Sequence, residues 1–389
     1  MSGPVLGYAT NCYAGESAAE LSAAVRSEVA AVRRLLPSGQ PLNLSLRISA
    51  RAARELNASP ALLDELRATL DSAGARIAGA NAFPISAPRG GIYKDGIYAP
   101  DWTSPARLEA TADIARAVAG LVPEGARAVL TTLTGTYRGW GCASCSEATE
   151  ADCARNLLKC AGRLEDVSRE TSRELVLALE PEPFTTAESL PETIRFFKGR
   201  LLGGPEEAVA RRRLAVNLDL CHAAVMFEDA AENLRAYARE GIPVAGLHVS
   251  AALRLARPGE NAAGLAALRA FDEPVYLHQV VAINQAGKVA FRAPDLGEFL
   301  KLAPERLRQF AEARVHFHVP IFAQHLGELS TTADLIAPAL GEAVRGAHTD
   351  LFIVETYTWR QLEGAPGAAA STAEGLAREL VAARAMLSG

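Results

Sequence analysis

Short apolar runs and amphipathic stretches take turns along this chain. The runs are VLGYATN (5–11), LNLSLRIS (42–49), ARIAGANAF (75–83), RAVLTTLTG (127–135), ELVLALEPE (174–182), LAVNLDL (214–220), VAGLHVS (244–250) and LFIVETY (351–357). Their near-continuous apolar character suits strands buried on both faces. Between most of them lie Ala/Leu/Arg-rich stretches with apolar residues at i, i+3 and i+4, such as SAAELSAAVRSEVAAVRRLL and SPARLEATADIARAVAGL. SPALLDELRATLDSAG opens on Ser-Pro and closes on Gly, which are helix start and stop signals. Strand–helix alternation predicts parallel strands joined by right-handed crossovers. Eight such strands predict an α/β protein, a closed (β/α)8 TIM barrel. A doubly wound sheet would carry a Gly-rich phosphate turn after its first strand, and NCYAGES is no G-x-G-x-x-G.

The spacing breaks once. Strands seven and eight are separated by far more chain than one crossover needs, and the excess contains EPVYLHQVVAINQAGKVAFRAP, two β-type runs around NQAG. A further strand-like run, RVHFHVPIF, follows. The expectation is one barrel domain over 1–389, with a long insertion between strands seven and eight. That insertion, 251–345, would form a hairpin and a cap over the C-terminal face, where barrel active sites lie.

Hydrophobic residues make up 49% and charged residues 22% of the chain, enough for a large core and too apolar for disorder. A net charge of −5 argues against a broad nucleic-acid footprint, so no nucleic-acid partner is expected. The opening MSGPVLGYATNC has neither a basic n-region nor an apolar h-region, and no apolar run reaches membrane-spanning length. A cytoplasmic protein with no direct membrane insertion is expected. Cysteines are sparse, and the one cluster is Cys142, Cys145, Cys153 and Cys160. A single C-x-x-C is a weak zinc signal, and bland burial competes with it.

The candidate chemistry sits where the strands end. Strand five ends in Glu180, strand six in Asp219, strand seven in His248 and strand eight in Glu355. Side chains at the C-terminal ends of barrel strands converge on one pocket. Three carboxylates there would repel without a cation, so the four residues predict a divalent metal site suited to Mn²⁺, Zn²⁺, Co²⁺ or Fe²⁺. Glu182 has the same strand parity as Glu180 and is the second choice for its place. His278, His316 and His318 lie in the insertion, with His316 and His318 on one strand face; the expectation is that they close over the pocket, the alternative that they are ordinary packed histidines. Asn81, Arg47, Arg138 and Trp359 are candidates for its mouth, each with a structural alternative.

Glu, then Asp-x-x-His, then His, then Glu on strands five to eight resembles the xylose-isomerase-like barrels, among them tagatose/psicose-type sugar epimerases and AP-endonuclease-like proteins. The resemblance to the epimerases implies that His222 touches substrate oxygens. It implies the same for Arg254, which stands six residues after the strand-seven histidine in HVSAALR. The epimerases carry a Glu three residues after that histidine, and here the position is Ala251, so sugar identity does not carry over. The endonuclease branch needs two early-strand histidines, and ANAFP and TLTGTYRGW contain none.

LGYATN, IYAPDW, ALEPEP, YLHQV, HFHVPIF and ETYTW together resemble the EboE-type metabolite-traffic proteins. That resemblance implies pathway partners including a prenyltransferase-like membrane protein, and a small sugar- or cyclitol-like metabolite. It supplies no reaction. The expected function is a metal-dependent isomerase or epimerase of a polyhydroxylated carbonyl compound, phosphorylated or not. Glu180 and Glu355 would carry protons, and His222, Arg254, His278, His316 and His318 would bind substrate. A metal-dependent phosphoesterase and a non-catalytic metabolite carrier are the alternatives.

Overall fold

The computed structural model describes residues 3–13, 15–84, 94–141, 146–362 and 369–388. Its strands, in chain order, are β1 (Val5–Ala9), β2 (Leu42–Arg47), β3 (Ala75–Asn81), β4 (Arg127–Leu133), β5 (Glu174–Glu180), β6 (Leu214–Asp219) and β7 (Val244–Val249). They continue with β8 (Ala251–Ala256), β9 (Val280–Asn284), β10 (Val289–Ala293), β11 (Phe310–Val319), β12 (His325–Leu326), β13 (Leu329–Thr331) and β14 (Leu351–Val354). Strands β1 to β7 and β14 close into a barrel, each neighbouring pair parallel, in the order β1-β14-β7-β6-β5-β4-β3-β2. This is the (β/α)8 barrel that the alternation of runs and helices predicts.

Helix signals fall where the spacing places them. Ser59 and Ser104 cap helices Pro60–Ser72 and Pro105–Leu121, each with proline in its first turn, where the missing N–H costs nothing. Inside the barrel a small cluster of Ala9, Val129, Val176, Ala178, Ala215, Ala245, Leu351 and Ile353 fills the centre, while a much larger cluster packs the helices onto the outer wall. Each strand stops short of the apolar run that marks it, because the last residues turn out into the loops of the C-terminal face. At β6 the cause is visible: Asp219 caps the next helix, Leu220–Val225, its side chain accepting the His222 backbone N–H at 3.0 Å.

The long excursion after β7 differs from a hairpin plus one strand. It forms a six-stranded antiparallel sheet in the order β10-β9-β11-β8-β13-β12. The hairpin lies where NQAG marks it. Asn284 Oδ1 accepts the N–H groups of Ala286 and Lys288 at 3.0 and 3.1 Å, and Gly287 takes a φ of +72°. Strand β8 has no counterpart in the sequence reading. AALRLA runs on almost directly from β7, and only pairing with the distant β11 and β13 makes it a strand of a second sheet. Ala252 and Val281 of this sheet pack on Cys221 and Val225 of the helix after β6, which seats the sheet at the C-terminal end of the barrel.

Candidate metal centre

Glu180, Asp219, His248 and Glu355 meet. Each offers one ligand atom, and the four atoms lie within 4.8 Å of one another, all buried. His248 Nδ1 is the hub, 2.8 Å from Glu355, 3.1 Å from Glu180 and 3.7 Å from Asp219 Oδ2. The register explains the meeting. Asp219 and His248 are direct partners across β6 and β7, and Glu355 follows β14, its N–H bonded to Val249 O at 3.2 Å. Asp219 Oδ1 is held by Ser250 Oγ at 2.7 Å, and Glu355 is held by the Asn11 amide. Among the described residues Asp219 Oδ2 has no hydrogen-bond partner.

Three carboxylates around one ring nitrogen, with a buried carboxylate oxygen left open, make a donor set that fits a divalent cation. The electrostatics agree. Burial works against the charge on Asp219, yet His222 and His318 hold its carboxyl well below the usual carboxylate range. Burial likewise opposes charge on His248, and the carboxylates of Glu180 and Glu355 lift it well above an ordinary histidine. Such mutual stabilisation of buried charges marks functional sites more often than structural ones.

A cavity of about 730 Å³, counting space open to solvent, adjoins this cluster. Glu180, Glu355, Glu182, His222, His316 and His318 line its polar side. Asn11, Arg47 and Asn81 line the side formed by β1 to β3, and Phe83, Tyr98, Tyr276 and Tyr357 supply aromatic walls. Among the described residues the amide oxygens of Asn11 and Asn81 have no hydrogen-bond partner, which suits them to accept from hydroxyl donors.

The insertion delivers His316 and His318, alternate residues of β11, to the cavity. His316 Nδ1 bonds Gln279 Oε1 at 2.6 Å, and His318 Nδ1 bonds the carbonyl of Glu355 at 2.6 Å. Glu182 is not in the four-residue cluster. It accepts the Tyr98 hydroxyl at 2.5 Å, and burial pushes its carboxyl up to about 7 although His222 pulls the other way.

Other predicted residues are placed elsewhere. Arg254 lies on β8 and reaches Asp334 at 2.8 Å and Glu312 at 3.7 Å; it is not among the residues lining the cavity. The six-residue offset that suggested it assumes a loop after β7, and a strand runs there instead. His278 is fully buried behind the cavity wall, bonded to His316 O at 2.9 Å and to Glu273 at 2.8 Å, and serves as scaffold. Arg138 ties Glu188 and Glu192, and the Trp359 indole N–H bonds Glu379, so both are structural. Cys142 and Cys145 lie outside the described residues. Cys153 and Cys160 are buried in helix Glu147–Thr171, burial raises both thiols, and neither joins a group of ligands among the described residues.

Asn11, Tyr98, Tyr276 and Tyr357 fall within LGYATN, IYAPDW, YLHQV and ETYTW, yet neither they nor Ser250 receive a role from the sequence. Asn11 and Ser250 also follow apolar strands, so the strand-end rule finds them when extended from charged to polar residues. Tyr98 closes a short 3-10 helix, Lys94–Tyr98, and its contact with Glu182 gives it a role.

No family model and no curated protein matches the chain. Solved structures do match. A xylose isomerase-like TIM barrel protein from Mycobacterium smegmatis in complex with magnesium is 11% identical, with a TM-score of 0.51 over 99% of this chain and 98% of that one. The IOLI protein with a binding zinc atom is 12% identical, with a TM-score of 0.48 over 98% of each. The 3-keto-D-glucoside 4-epimerase YcjR from E. coli, in its apo form, is 15% identical, with a TM-score of 0.38 over 78% of this chain and 97% of that one. Strand order defines a closed (β/α)8 barrel, and its fold is similar to that of the xylose isomerase-like TIM barrel protein. Sugar epimerases stand among its structural neighbours, at low identity. Among the described residues no helix is long and apolar enough to cross a membrane.

Proposed function

We propose that this chain is a metal-dependent isomerase or epimerase of a small polyhydroxylated carbonyl compound, sugar- or cyclitol-like. One observation carries the reading. Four buried ligand atoms, from Glu180, Asp219, His248 and Glu355, gather within 4.8 Å beside a cavity walled by amides, imidazoles and tyrosines. These four would hold the cation. When bound, a divalent cation supplies Lewis acidity that polarises a substrate carbonyl and acidifies the adjacent C–H. Glu180 and Glu355 would take and return the proton at that carbon. His222, His316 and His318 would contact substrate oxygens. Asn11 and Asn81, and not Arg254 or His278, would accept hydroxyl hydrogens. Residues 251–345 would act as a cap on a single barrel domain spanning 1–389. The EboE-type resemblance belongs to this proposal, with a cytoplasmic location and a prenyltransferase-like membrane protein as pathway partner.

The test joins metal content to hydrogen exchange. Metal-loaded protein is incubated in D₂O with a panel of ketoses and cyclitol ketones, and carbon-bound deuterium is read by NMR. Deuterium at the carbon next to the carbonyl of one panel member is expected, together with loss of both metal and exchange in Asp219→Ala. Exchange that survives in the metal-free Asp219→Ala protein would sink the reading, as would conversion that proceeds only by addition of water.

A further inference from the structure

The cavity is charged differently on its two sides. Its acids Glu180 and Glu355 stand at the ends of β5 and β14, beside Asp219 and His248. Arg47 stands on the wall that β1 to β3 make, between Asn11 and Asn81. The register fixes its place. Arg47 is the last residue of β2 and the direct partner of Asn81 on β3, and its backbone N–H bonds Thr10 Oγ1 at 2.8 Å, one residue before Asn11. The Asn11 amide in turn donates to Glu355. Acid, amide, guanidinium and amide thus follow one another around the mouth from β14 to β3. In the closed strand order, β2 and β3 stand opposite β6 and β7, which carry Asp219 and His248.

A second guanidinium backs the first. Arg107, on helix Pro105–Leu121, is fully buried and donates to neutral groups, Pro100 O and Ala82 O at 3.2 Å each and Thr132 Oγ1 at 2.8 Å. The guanidinium carbons of Arg47 and Arg107 lie 5.4 and 5.0 Å from the ring centroid of Phe83, which itself lines the cavity. Burial, and after it the charge of Arg47, pulls the Arg107 guanidinium down to about 9, although Asp101 works the other way. Where Arg138 and Arg292 converge, they share the carboxylate of Glu188. At Phe83 two like charges share an aromatic ring instead. An anion on the cavity side would offset their repulsion, in the way a cation would offset that of the three carboxylates opposite.

We propose, resting on the reading of the site as one for a polyhydroxylated carbonyl compound, that its ligand also carries an acidic group, a carboxylate or a phosphate, which Arg47 binds on the β2–β3 side of the mouth. A guanidinium presents a planar fork of N–H donors that matches either group. Hydroxyls between the acid and the carbonyl would donate to the open amide oxygens of Asn11 and Asn81. The acid would also set the direction of binding, since holding it at Arg47 turns the other end of the molecule toward Glu180 and Glu355. A neutral analogue would leave the two guanidiniums facing each other uncompensated, so the site would select against it.

The test is binding to chelator-stripped full-length protein, so that no cation at the four-residue cluster attracts the acid. D-fructose, D-fructuronate and D-fructose 6-phosphate share one ketose frame and differ at C6, which is an alcohol, a carboxylate or a phosphate ester. Calorimetry should show at least one of the two acids binding about 10–100-fold more tightly than fructose, the worth of a hydrogen-bonded charge pair. Which of the two gains identifies the acid. Arg47→Gln should lose that advantage and bind fructose as before, and Arg47→Lys should keep part of it; a thermal melt reports whether each variant folds. A wild type that binds neither acid more tightly than fructose would overturn the proposal, whether or not the variants fold. A folded Arg47→Gln protein that keeps the preference would overturn it too. Acid preference without deuterium exchange in the metal-loaded protein removes the isomerase reading and leaves the Arg47 site. Exchange into a neutral ketose that binds as well as its acids keeps that reading and removes the Arg47 site.

Discussion

Two buried carboxylates eight residues apart, Glu180 and Glu188, show what separates a site from a strut. Glu188 is surrounded by donors. Arg138 and Arg292 each bond its Oε1 at 2.7 Å, Arg292 also bonds its Oε2, and the Phe184 N–H bonds Oε2 at 2.5 Å. Its charge is matched on the spot, and what it stabilises is the loop after β5 and the nearby hairpin strand β10. Glu180 faces other acids instead. Its close charged neighbours are His248 at 3.1 Å and His222 at 3.6 Å, and Asp219 and Glu355 crowd the same ring of His248. Burial is common to both carboxylates. The difference lies in whether the partners finish the charge balance or leave it open to a ligand.

Substitutions should break that comparison in opposite directions. The largest effect is expected at Glu355→Gln, which keeps the side chain's size and removes its base. Exchange of the carbon-bound proton should fall by about 10²–10⁴-fold, measured by deuterium uptake, with a thermal midpoint close to that of the wild type. Glu188→Ala should do the reverse. Stripping the partner from two arginines should cost about 3–5 kcal/mol in urea denaturation while divalent-metal content stays intact. If Glu188→Ala also loses metal, the strut and the site are one unit and the contrast fails.

A third buried carboxylate sharpens the comparison through pH. Glu379, on the C-terminal helix Thr372–Ser388, accepts Ile321 N–H, Thr356 Oγ1 and Trp359 Nε1 at 3.1, 2.7 and 3.0 Å. Burial outweighs those donors and lifts its carboxyl to about 7. A folded-state value above the unfolded one means the protonated form is preferred in the fold. Its stabilising contribution is therefore complete below the unfolded value and is lost as pH rises to about 7, by roughly 3 kcal/mol for a shift of this direction and size. Denaturation at acidic, neutral and mildly alkaline pH should show that slope in the wild type, and Glu379→Gln should flatten it. A steeper slope in the variant contradicts the assignment. The smallest effect belongs to Arg254→Ala. Its pair with Asp334 is half open to solvent on that partner's side, so about 0–1 kcal/mol is expected, with unchanged ligand affinity in calorimetry.

The barrel was legible because its strands are buried on both faces and so read as continuous apolar runs. The four acids and bases at their ends were legible because a charged residue at the close of such a run has few structural uses. Strand β8 was not. AALRLA follows β7 across a single residue, Ser250, and its partners in β11 and β13 lie far along the chain. Arg254 went astray with it, because an offset from His248 says nothing about direction once the backbone turns into a second sheet. Glu182 was seen as a rival to Glu180 on strand parity alone. Its bond to Tyr98, from a short 3-10 helix 84 residues earlier, separates the two.

By itself the sequence determined the count of barrel strands, their closure, the hairpin at Asn284–Gly287 and the set of residues able to bind a cation, since periodicity and residue type are local properties. Only the tertiary structure decided which of them share a site and in what protonation state. His222 and His316 stand 94 residues apart and face each other at 3.1 Å. Whether their facing nitrogens carry protons depends on Pro181 O and Gln279 Oε1 behind them. A ring has two nitrogens and one proton, and the acceptor that takes the proton is chosen by the fold.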